Sequence, residues 1–550
     1  MPSEPTNSSN RLAPIPVDVR RFPWIRRLAA DYVYSFPSVS QFFAGNPADS
    51  RAWSDMIARV QAHARPRADM AAVLTAQQRR RRAPAEALAA TCLLTDPRTV
   101  AIVTGQQAGL FGGPFFTLLK ALTAVKLADR ISREHGVPAV SVFWVDAEDH
   151  DWAEVSHCSI LNAEYQRQTV TLPAPAGAGR IPIAAVTLAE SVERGVEELA
   201  QALPPTEFTD SLLEGLRAAY HPGAGMAEAF ARWLEATVGR MGLIVFDASD
   251  VAAKPLVAQV FAREIEYPGR TSQLAAEAGA QLVALGYHAQ VATPQSAALF
   301  RLDGNRTAIR LQDSGFVAGD SALDATVLLK EALTNPAGFS PNVLLRPVVQ
   351  DTLFPTVSYV PGPNELGYHA QLRPVYEHFG VPMPLLYPRA SVTVLDSAAL
   401  RFLTTHDLPL ESLQPRDEAA LNRLLAASLP EPVESSMRET VEAVDRTMAA
   451  LIAAVPAVDP TLEGAARSTL GKLEHELTTL QGKIISAAKR RDEVLRRQFA
   501  RAQAQAFPDG QPQERALSFT SLLNRYGPAL VDCLTNDRLF DLGHHWIVTL

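Results

Sequence analysis

The chain has 550 residues, of which 47% are hydrophobic and 20% are charged, and its formal net charge at pH 7 is −8. This composition indicates a globular protein of two to four domains, since a domain usually has roughly 100–200 residues. The acidic balance argues against a dedicated nucleic-acid-binding protein, because such proteins usually carry a basic face.

The three cysteines, Cys92, Cys158 and Cys533, lie far apart and form no CxxC pair. This spacing disfavours a disulfide framework and a cysteine-rich zinc site, and it is typical of a reducing cytosol. The N-terminal segment has no apolar run of signal-peptide type, and no window approaches about 18 consecutive apolar residues. We therefore expect a cytoplasmic protein with no membrane span.

The first 95 residues divide into a polar, Pro-rich tail and a helical region. Residues 1–16 are expected to be disordered, and residues 17–95 to form mainly helices. The helical region ends in a run of four arginines, Arg79–Arg82. We interpret this run as a solvated helix face, with a grip on an anionic substrate as the alternative.

A strand–turn–helix–strand unit follows. TVAIVTG (99–105) predicts a β-branched strand, and the Gly-rich segment after it predicts a turn. Pro114 suits the first position of a helix, which Gly136 is expected to end. PAVSVFWVD (138–146) is a nearly continuous apolar run, as in a parallel sheet covered on both faces. This unit predicts an α/β fold with a Rossmann-like core.

A second unit repeats the pattern. TVSYVPG (356–362) predicts a strand, GPNE a tight loop, and LGYHAQLRPVYEHF a helix with a kink or break at Pro374. Gly380 is expected to end this helix, and VPMPLLYP (381–388) predicts the next strand. Two such units in one chain favour an open α/β sheet.

Two further segments belong to this core, which we expect to span residues 17–425. MGLIVFDAS (241–249) predicts another buried strand with Asp247 at its carboxyl end. Residues from approximately 160 to 340 have a mixed pattern, which predicts insertions as well as sheet elements.

The last third of the chain contains a heptad pattern, in which apolar residues recur in alternating steps of three and four. The pattern runs through Met437, Val441, Val444, Met448, Leu451 and Val455, and resumes at Leu470, Leu473, Leu477, Leu480, Ile484 and Ala487. It predicts an antiparallel coiled-coil hairpin over residues 430–505, with residues 506–550 returning to the core. We favour a protruding arm that dimerises over a helical pair packed on the core, because charged residues flank the pattern densely.

The Gly-rich turn, TGQQAGLFGGP (104–114), matches neither GxxxxGK[ST] nor GxGxxG. It lies at the carboxyl end of a predicted parallel strand, where open α/β sheets bind ligands and helix N-termini attract anions. The alternative is that its glycines only turn the chain. The residues here that we expect to contact a ligand are Thr104, Gly105, Gln106, Gln107, Gly109, Gly112 and Gly113.

The acidic string AEDHD (147–151) follows the next predicted strand and should therefore reach the same edge of the sheet. Its candidate catalytic residues are Glu148, Asp149, His150 and Asp151. A carboxylate–imidazole combination suits general acid–base catalysis near neutral pH, and it can also bind a divalent metal. The alternative is a solvated loop.

A third cluster surrounds the second unit, where Arg346 can hold a carboxylate or phosphate through two hydrogen bonds. The alternative for each polar residue is a structural hydrogen bond. The cluster consists of Arg346, Gln350, Asp351, Glu365, Tyr368, His369 and Gln371. Gln513, Glu514 and Arg515 follow a turn after the heptad pattern and are candidates to cap the cleft.

Several segments, in the same order, resemble the cysteine-adding enzymes of bacillithiol biosynthesis, the cysteine ligase (BshC) family. They span most of the chain, and their combination is specific. They are VTGQQAGLFGGP with Lys120, VPAVSVFWVDAEDHDWAEV, RPVVQDTLFPTVSYVPGPNELGYHAQL, YPRAS and FPDGQPQER. Asp146 departs from the pattern, since the resemblance implies a small residue there.

The resemblance implies a nucleotidyltransferase-type core with connecting-peptide insertions, akin to class I aminoacyl-tRNA synthetases, and a coiled coil that forms a homodimer. It implies a ligase that joins the carboxyl group of L-cysteine to the amine of glucosaminyl-malate, the last step of bacillithiol biosynthesis. By analogy with the synthetases, ATP with Mg would activate cysteine as an adenylate, although no HIGH- or KMSKS-like sequence is present.

The implied reaction assigns roles to the candidate residues. His150 with Asp149 or Asp151 would take a proton from the sugar amine, and Arg346 or Arg389 would clamp the carboxylates of malate. Further binding contacts are expected from Lys120, Gln350, Asp351, Gly362, Glu365, Tyr368, Gln513 and Arg515. The alternatives are a metal-dependent hydrolase that uses residues 148–151 and a non-catalytic coiled-coil scaffold.

Overall fold

A computed structural model describes residues 13–291, 296–312, 315–427, 431–491 and 493–550. The chain divides into two compact units: one runs up to Val394 and includes Gln513–Leu550, and the other is Leu395–Pro512. The first unit thus ends earlier than residue 425, the end of the predicted core. The reason is that the helix Ser397–Thr405 packs against Glu493–Ala506 within the second unit.

A five-stranded parallel sheet forms the centre of the first unit, as the two repeated patterns predicted. Every pair of neighbouring strands in it is parallel. In spatial order the strands are Leu385–Leu386, Thr356–Tyr359, Val100–Gln106, Ala139–Val145 and Ile244–Asp247. Both faces of Ala139–Val145 are apolar, since Phe143 and Val145 belong to one hydrophobic core and Val142 and Trp144 to another. Helices therefore cover both faces of the sheet.

The helix Phe115–His135 connects the strands Val100–Gln106 and Ala139–Val145. It confirms the first predicted strand–turn–helix–strand segment, residues 99–146. Pro114 lies one residue before its predicted place, at the N-cap, because its extended ψ of 157° keeps it outside the helix. Gly136 ends the helix in the left-handed conformation, with φ of 65°. This connection places the Gly-rich turn at the carboxyl edge of the sheet.

The second predicted strand–turn–helix–strand segment, residues 356–388, differs from its prediction in two places. GPNE is not a separate tight loop, because Pro363 begins the helix Pro363–His369 and Glu365 accepts the Gly362 amide in a capping box. The predicted break is present, and a new helix, Arg373–Phe379, follows it. The strand predicted for 381–388 is only Leu385–Leu386, since Pro382 and Pro384 lack the N–H groups of a strand.

The N-terminal region forms a strand and four helices. The strand Ile15–Asp18 pairs antiparallel with His544–Thr549, which also neighbours Ser391–Leu395. The expected disorder is therefore wrong for Ile15 and Pro16, and residues 1–12 lie outside the described residues. The helices are Arg27–Tyr34, Ser50–Ala62, Arg67–Arg81 and Ala85–Leu93.

The Arg79–Arg82 run is not uniformly solvated. Arg81 is buried and forms an ion pair with Glu235, with 2.7 Å between Nη2 and Oε1. The other three arginines are exposed. The helix thus turns one guanidinium inward, and the interpretation as a solvated face is wrong for Arg81.

The mixed middle region contains helices and two antiparallel sheets. A hairpin pairs His157–Leu161 with Arg167–Thr171. A five-stranded sheet has the order Ser321–Leu323, Gly315–Ala318, Arg306–Gln312, Ser296–Leu302 and Phe339–Pro341. The helices are Trp152–Val155, Ser191–Ala202, Thr209–Ala219, Met226–Val238, Ala258–Glu266, Arg270–Ala284, Ala325–Thr334 and Arg346–Leu353. After residue 512 the chain adds Gln513–Ala516, Phe519–Tyr526 and Ala529–Leu534.

The second unit, Leu395–Pro512, is helical, as the heptad pattern predicted. Its two long helices are Glu431–Ala454 and Leu462–Arg491; they pack together and are joined through a short 3₁₀ turn, Val455–Ala457. Ser397–Thr405, Ala419–Ala427 and Glu493–Ala506 complete the unit. No helix in the described ranges is long and apolar enough to cross a membrane.

Candidate functional site

The main cavity of the first unit has a volume of about 520 Å³ and opens at the carboxyl ends of the parallel strands. Gly105 and Gln106 line it from the end of one strand, and Trp144 and Asp146 line it from the next. Tyr359 contributes from the strand on the other side. This is the edge at which open α/β sheets bind ligands, so the cavity is the candidate site.

Only the first part of the Gly-rich turn reaches this cavity. Gly105, Gln106 and Gln107 line it, whereas Gly109 and Gly113 line a smaller cavity of about 200 Å³ beside it. Gly112 lies in neither cavity, because its φ of 96° and the Phe519 ring 2.3 Å from an added Cβ fix it inside the fold.

The two residues that begin the turn have different roles. Thr104 donates its hydroxyl hydrogen to the Val360 carbonyl at 2.9 Å and therefore ties neighbouring strands together. Gly105 is needed for close packing, because an added Cβ would lie 2.8 Å from the Trp144 carbonyl oxygen.

Lys120 forms a buried ion pair with Glu365, with 2.6 Å between Nζ and Oε2. The ammonium also donates to the Gly105 carbonyl at 2.7 Å and to Gln106 Oε1 at 3.2 Å. Burial lowers the pKa of Lys120. Burial alone would raise the pKa of Glu365, but the charge of Lys120 and the hydrogen bond from the Gly362 amide hold the pKa of Glu365 below its usual value. Since all three donors of Lys120 are used, Lys120 positions Gln106 rather than binding a ligand itself.

The AEDHD string does not act as one cluster. Glu148 is buried in an ion pair with Lys254 and does not line the main cavity. Asp151 caps the short helix Trp152–Val155, where its Oδ1 accepts the Glu154 amide at 3.2 Å. These two of the four predicted catalytic residues thus have other partners and do not line the cavity.

Of the other two, Asp149 lines the cavity and His150 does not, and Arg306 contacts both. Asp149 accepts hydrogen bonds from the Gln107 amide group and from the His150 backbone N–H, the latter at 2.7 Å. Arg306 Nη1 lies 3.5 Å from Asp149 Oδ1 and 3.1 Å from His150 Nδ1. Because a guanidinium can only donate, Nδ1 of His150 is the acceptor.

Arg306 was missed in the sequence, because it comes from the antiparallel sheet of the middle region, far from residues 149 and 150 along the chain. Its guanidinium lies 3.8 Å from the centre of the Phe300 ring and donates to the Pro341 carbonyl at 3.2 Å. No motif surrounds it, and only the fold brings it to this edge.

Asp146 was noted in the sequence only as a departure from the family pattern, and it lines the main cavity. Its backbone N–H donates to the Gln106 carbonyl at 3.0 Å, which extends the pairing of the two central strands by one residue. Its carboxylate has no hydrogen-bond or ion-pair partner within the described part of the chain. Burial raises the pKa of Asp146 to about 6, and the nearby Arg346 charge opposes this rise.

Arg346 is the central cation of the third predicted cluster. Its guanidinium donates to Gln350 Oε1 at 3.1 Å and to the Tyr368 hydroxyl at 3.2 Å, and it lines the cavity with Tyr368. No carboxylate lies within ion-pair distance of it in the described ranges. Asp351 and Gln350 do not line the cavity: Asp351 accepts from Tyr376 at 2.5 Å and from Gln350 at 2.9 Å.

The segment after residue 512 contributes Arg515 to the cavity. Arg389 is paired with Glu514 through two hydrogen bonds, of 2.6 and 3.0 Å. Gln513 is buried and bonds both backbone groups of Val394. Arg515 lines both cavities and has no carboxylate partner among the described residues. Glu154, which the sequence reasoning did not select, also lines both.

Some of the predicted residues line the main cavity and the others do not. Those that line it are Gly105, Gln106, Gln107, Lys120, Asp149, Arg346, Gly362, Glu365, Tyr368, Arg389 and Arg515. In the described parts of the chain, no group of three or more His, Cys, Asp or Glu side chains is arranged to hold a metal ion. The cavity therefore combines several cations with carboxylates, which suits a substrate that carries both anionic and amine groups.

Comparison with known proteins gives matches over the whole chain. A family model described as Bacillithiol biosynthesis BshC, N-terminal Rossmann-like domain, matches residues 15–390, and the C-terminal coiled-coil domain of the same family matches residues 392–550. The chain is 32% identical over 559 residues to the "Putative cysteine ligase BshC" of Salinibacter ruber, covering 100% of both proteins. The protein with that name from Symbiobacterium thermophilum is 34% identical over 493 residues, covering 86% of this chain and 88% of the relative.

Proposed function

The chain belongs to the bacillithiol biosynthesis BshC family, and we propose that it joins the carboxyl group of L-cysteine to the amine of glucosaminyl-malate. The product amide is bacillithiol, and the reaction is the last step of its biosynthesis. The observation that carries this proposal is the main cavity, which Arg346 and Arg515 line without carboxylate partners among the described residues. Malate supplies two carboxylates, which are the groups that a guanidinium binds best.

The acceptor is proposed to bind with its malate group at Arg346. The Trp144 and Tyr359 rings lie 5.9 and 5.8 Å from this guanidinium and limit its movement. Hydrogen bonds from the guanidinium to Gln350 and Tyr368 fix its orientation. A cation held in this way loses little conformational entropy when it binds a carboxylate, so it is a suitable anchor for the acceptor.

ATP, with the Mg ion that accompanies it, is proposed as the source of carboxyl activation, which converts the unreactive cysteine carboxylate into an electrophile. The residues present fit a triphosphate: Arg306 and Arg515 line the cavity beside the proposed malate position. The amide Nε2 of Gln106 has no partner within the described part of the chain and adds a neutral donor. Cationic groups stabilise the charge that develops on phosphate oxygens.

The acidic string is proposed to organise this site rather than to bind a metal. Glu148 and Asp151 are engaged elsewhere, so the four side chains cannot converge on one ion. Asp149 and His150 hold Arg306 at the cavity edge. The metal-dependent hydrolase is therefore not favoured.

For the fold, we propose a nucleotidyltransferase-type core in which the mixed middle region is the connecting-peptide insertion. In the second unit we propose an antiparallel coiled-coil arm that forms a homodimer. Four apolar residues of the heptad pattern support this, because each is at least 37% exposed in the single chain. They are Val441, Leu451, Leu473 and Leu480. The setting is proposed to be cytoplasmic, in keeping with cysteines that form no disulfide in the described part of the chain.

Charges placed on the heptad pattern should separate the homodimer. The double variant Leu473→Glu, Leu480→Glu is expected to be a monomer of about 59.5 kDa by light scattering, whereas the natural protein should have twice this mass. Gln481→Glu, on an exposed position of the same helix, is the control and should remain a dimer. A dimer that persists in the double variant would contradict the proposed arm interface.

The proposed reaction is tested with the purified protein, L-cysteine, glucosaminyl-malate and MgATP. Bacillithiol should accumulate together with an equal amount of AMP or ADP, and omission of any one substrate should stop both. Bacillithiol formation without nucleotide turnover would contradict the ATP-dependent activation. The absence of any product from a folded protein would contradict the assignment as the complete ligase.

A further inference from the structure

The proposed amide synthesis requires a group that receives the proton of the acceptor amine. We propose that this group is Asp146: its carboxylate binds the acceptor amine and takes its proton as the amine attacks the activated carboxyl carbon of cysteine. The new N–C bond forms with the amine lone pair, and the activating group leaves with the electron pair of its bond to carbon. The inference rests on the proposed function, and it concerns this chain in particular, because the family resemblance implies a small residue at position 146.

The other nearby bases are already occupied. Nδ1 of His150 accepts a hydrogen bond from Arg306, so its lone pair is engaged. Asp149 accepts from Gln107 and from the His150 backbone N–H and lies beside Arg306. A base that already holds several hydrogen bonds must give one up before it can take a proton.

Three acids of this edge remain. Glu148 is paired with Lys254 outside the cavity, Glu365 is paired with Lys120 inside it, and Glu154 lines the cavity from an exposed position, where water can solvate its carboxylate. Asp146 lines the cavity and differs from all three, because it is half-buried and its carboxylate has no partner in the described ranges. A half-buried carboxylate without a hydrogen bond is costly, and such a group at a ligand cavity indicates a partner that arrives with the ligand.

The position of Asp146 in the cavity also suits this role. The backbone hydrogen bond from Asp146 to Gln106 places the side chain at the end of the central strand pair. Gln106 on one side and Arg346 on the other both line the same cavity. An acceptor whose malate group is bound at Arg346 would therefore present its amine, the opposite charge, to the adjacent carboxylate.

Protonation supports this assignment. The charged groups nearest to Asp146 are Arg346 and Arg306, which favour its ionised form, and Asp149 and Glu148, which oppose it. Burial is the largest influence and raises the pKa of Asp146 to about 6. A base with a pKa near the working pH is well matched to an amine, because it is ionised at pH 7–8 and still binds a proton readily.

The test is Asp146→Asn, with Asp55→Asn as the matched control. Asp55 is exposed on the helix Ser50–Ala62 and does not line the cavity. Asp146→Asn should lower kcat by about 100-fold or more with the KM for cysteine unchanged, while Asp55→Asn keeps the natural rate. The natural protein and Asp55→Asn should lose activity below about pH 6, and Asp146→Asn should lose this acidic limb.

Calorimetric binding of glucosaminyl-malate without ATP provides a measurement that does not depend on turnover. Asp146→Asn should bind the acceptor at least tenfold more weakly at pH 8, and its melting temperature should be equal or higher, because an unpaired buried charge has been removed. Equal binding by the variant, or an active variant with the acidic limb intact, would overturn the role of Asp146. The second of these outcomes would leave the ligase assignment standing, since the natural protein would still form bacillithiol.

Discussion

Arg346→Met is expected to lower kcat/KM for glucosaminyl-malate by about 100-fold, which corresponds to roughly 3 kcal/mol of lost binding. The loss should appear mainly as a higher KM for the acceptor. The physical reason is that Arg346 lines the cavity without an ion-pair partner in the described ranges, so its charge is available to the malate carboxylates. Methionine keeps much of the side-chain volume but removes both the charge and the donors.

The substrate itself offers the sharpest control for this variant. With an acceptor that lacks the malate group, such as methyl glucosaminide, the natural protein and Arg346→Met should have equal kcat/KM. Arg346→Lys should fall between the two on glucosaminyl-malate, because it keeps the charge but cannot form two parallel hydrogen bonds. An equal loss on both acceptors would mean that Arg346 maintains the cavity rather than binding malate.

A general effect on folding can be separated by a second variant. Arg59→Met changes an exposed arginine on the helix Ser50–Ala62 and should affect neither substrate. Arg346→Met itself should lower the free energy of unfolding by about 1–3 kcal/mol, because Gln350 and Tyr368 lose a charged donor. Kinetic measurements should therefore be made well below its melting temperature.

Arg81→Met is expected to have the largest effect on stability, lowering the free energy of unfolding by about 3–5 kcal/mol at pH 7–8. Arg81 and Glu235 have side-chain exposures of only 1% and 2%. Two hydrogen bonds, of 3.0 and 2.7 Å, join them, and Arg81 also donates to the Val245 carbonyl at 2.6 Å. Removal of the guanidinium leaves a buried carboxylate without its partner.

Thermal or urea unfolding measures this loss, and its dependence on pH provides an internal check. Burial raises the pKa of Glu235. A folded-state pKa above that of the unfolded state means that the folded protein takes up a proton as the pH falls, so the destabilisation of Arg81→Met should shrink towards acidic pH. The double variant Arg81→Met, Glu235→Met should recover most of the stability, because no unpaired charge remains. Arg79→Met, on an exposed neighbour, should change little; a comparable loss there would contradict the explanation.

Sequence patterns were sufficient for the main elements of the sheet. The apolar runs at 99–105, 138–146 and 241–249 predicted three of its strands, and Gly136 marked the end of the connecting helix at the correct residue. These predictions depended on local chemistry: periodicity, β-branching and the freedom of glycine at positive φ. The strand at 381–388 was overestimated, because two prolines interrupt its hydrogen bonding.

The candidate site was predicted only in part, for a physical reason. The polar residues near the predicted strands correctly included Gln106 and Arg346, which both line the main cavity. Whether an acidic side chain is free depends on partners that are distant in sequence, as with Lys254 for Glu148 and Arg306 for Asp149. Such partners are brought together by tertiary structure alone, and the unpaired state of Asp146 depends on the tertiary structure in the same way.

The most direct test of the ligase assignment is to follow the carboxylate oxygens of cysteine. L-Cysteine labelled with ¹⁸O in its carboxyl group would be incubated with glucosaminyl-malate, MgATP and the purified protein, and all products analysed by mass spectrometry. We predict that bacillithiol forms and that one ¹⁸O atom for each amide bond appears in AMP or in inorganic phosphate. Bacillithiol without label in either phosphate product would contradict activation of cysteine by ATP, and labelled cysteine recovered with no bacillithiol would contradict the ligase itself.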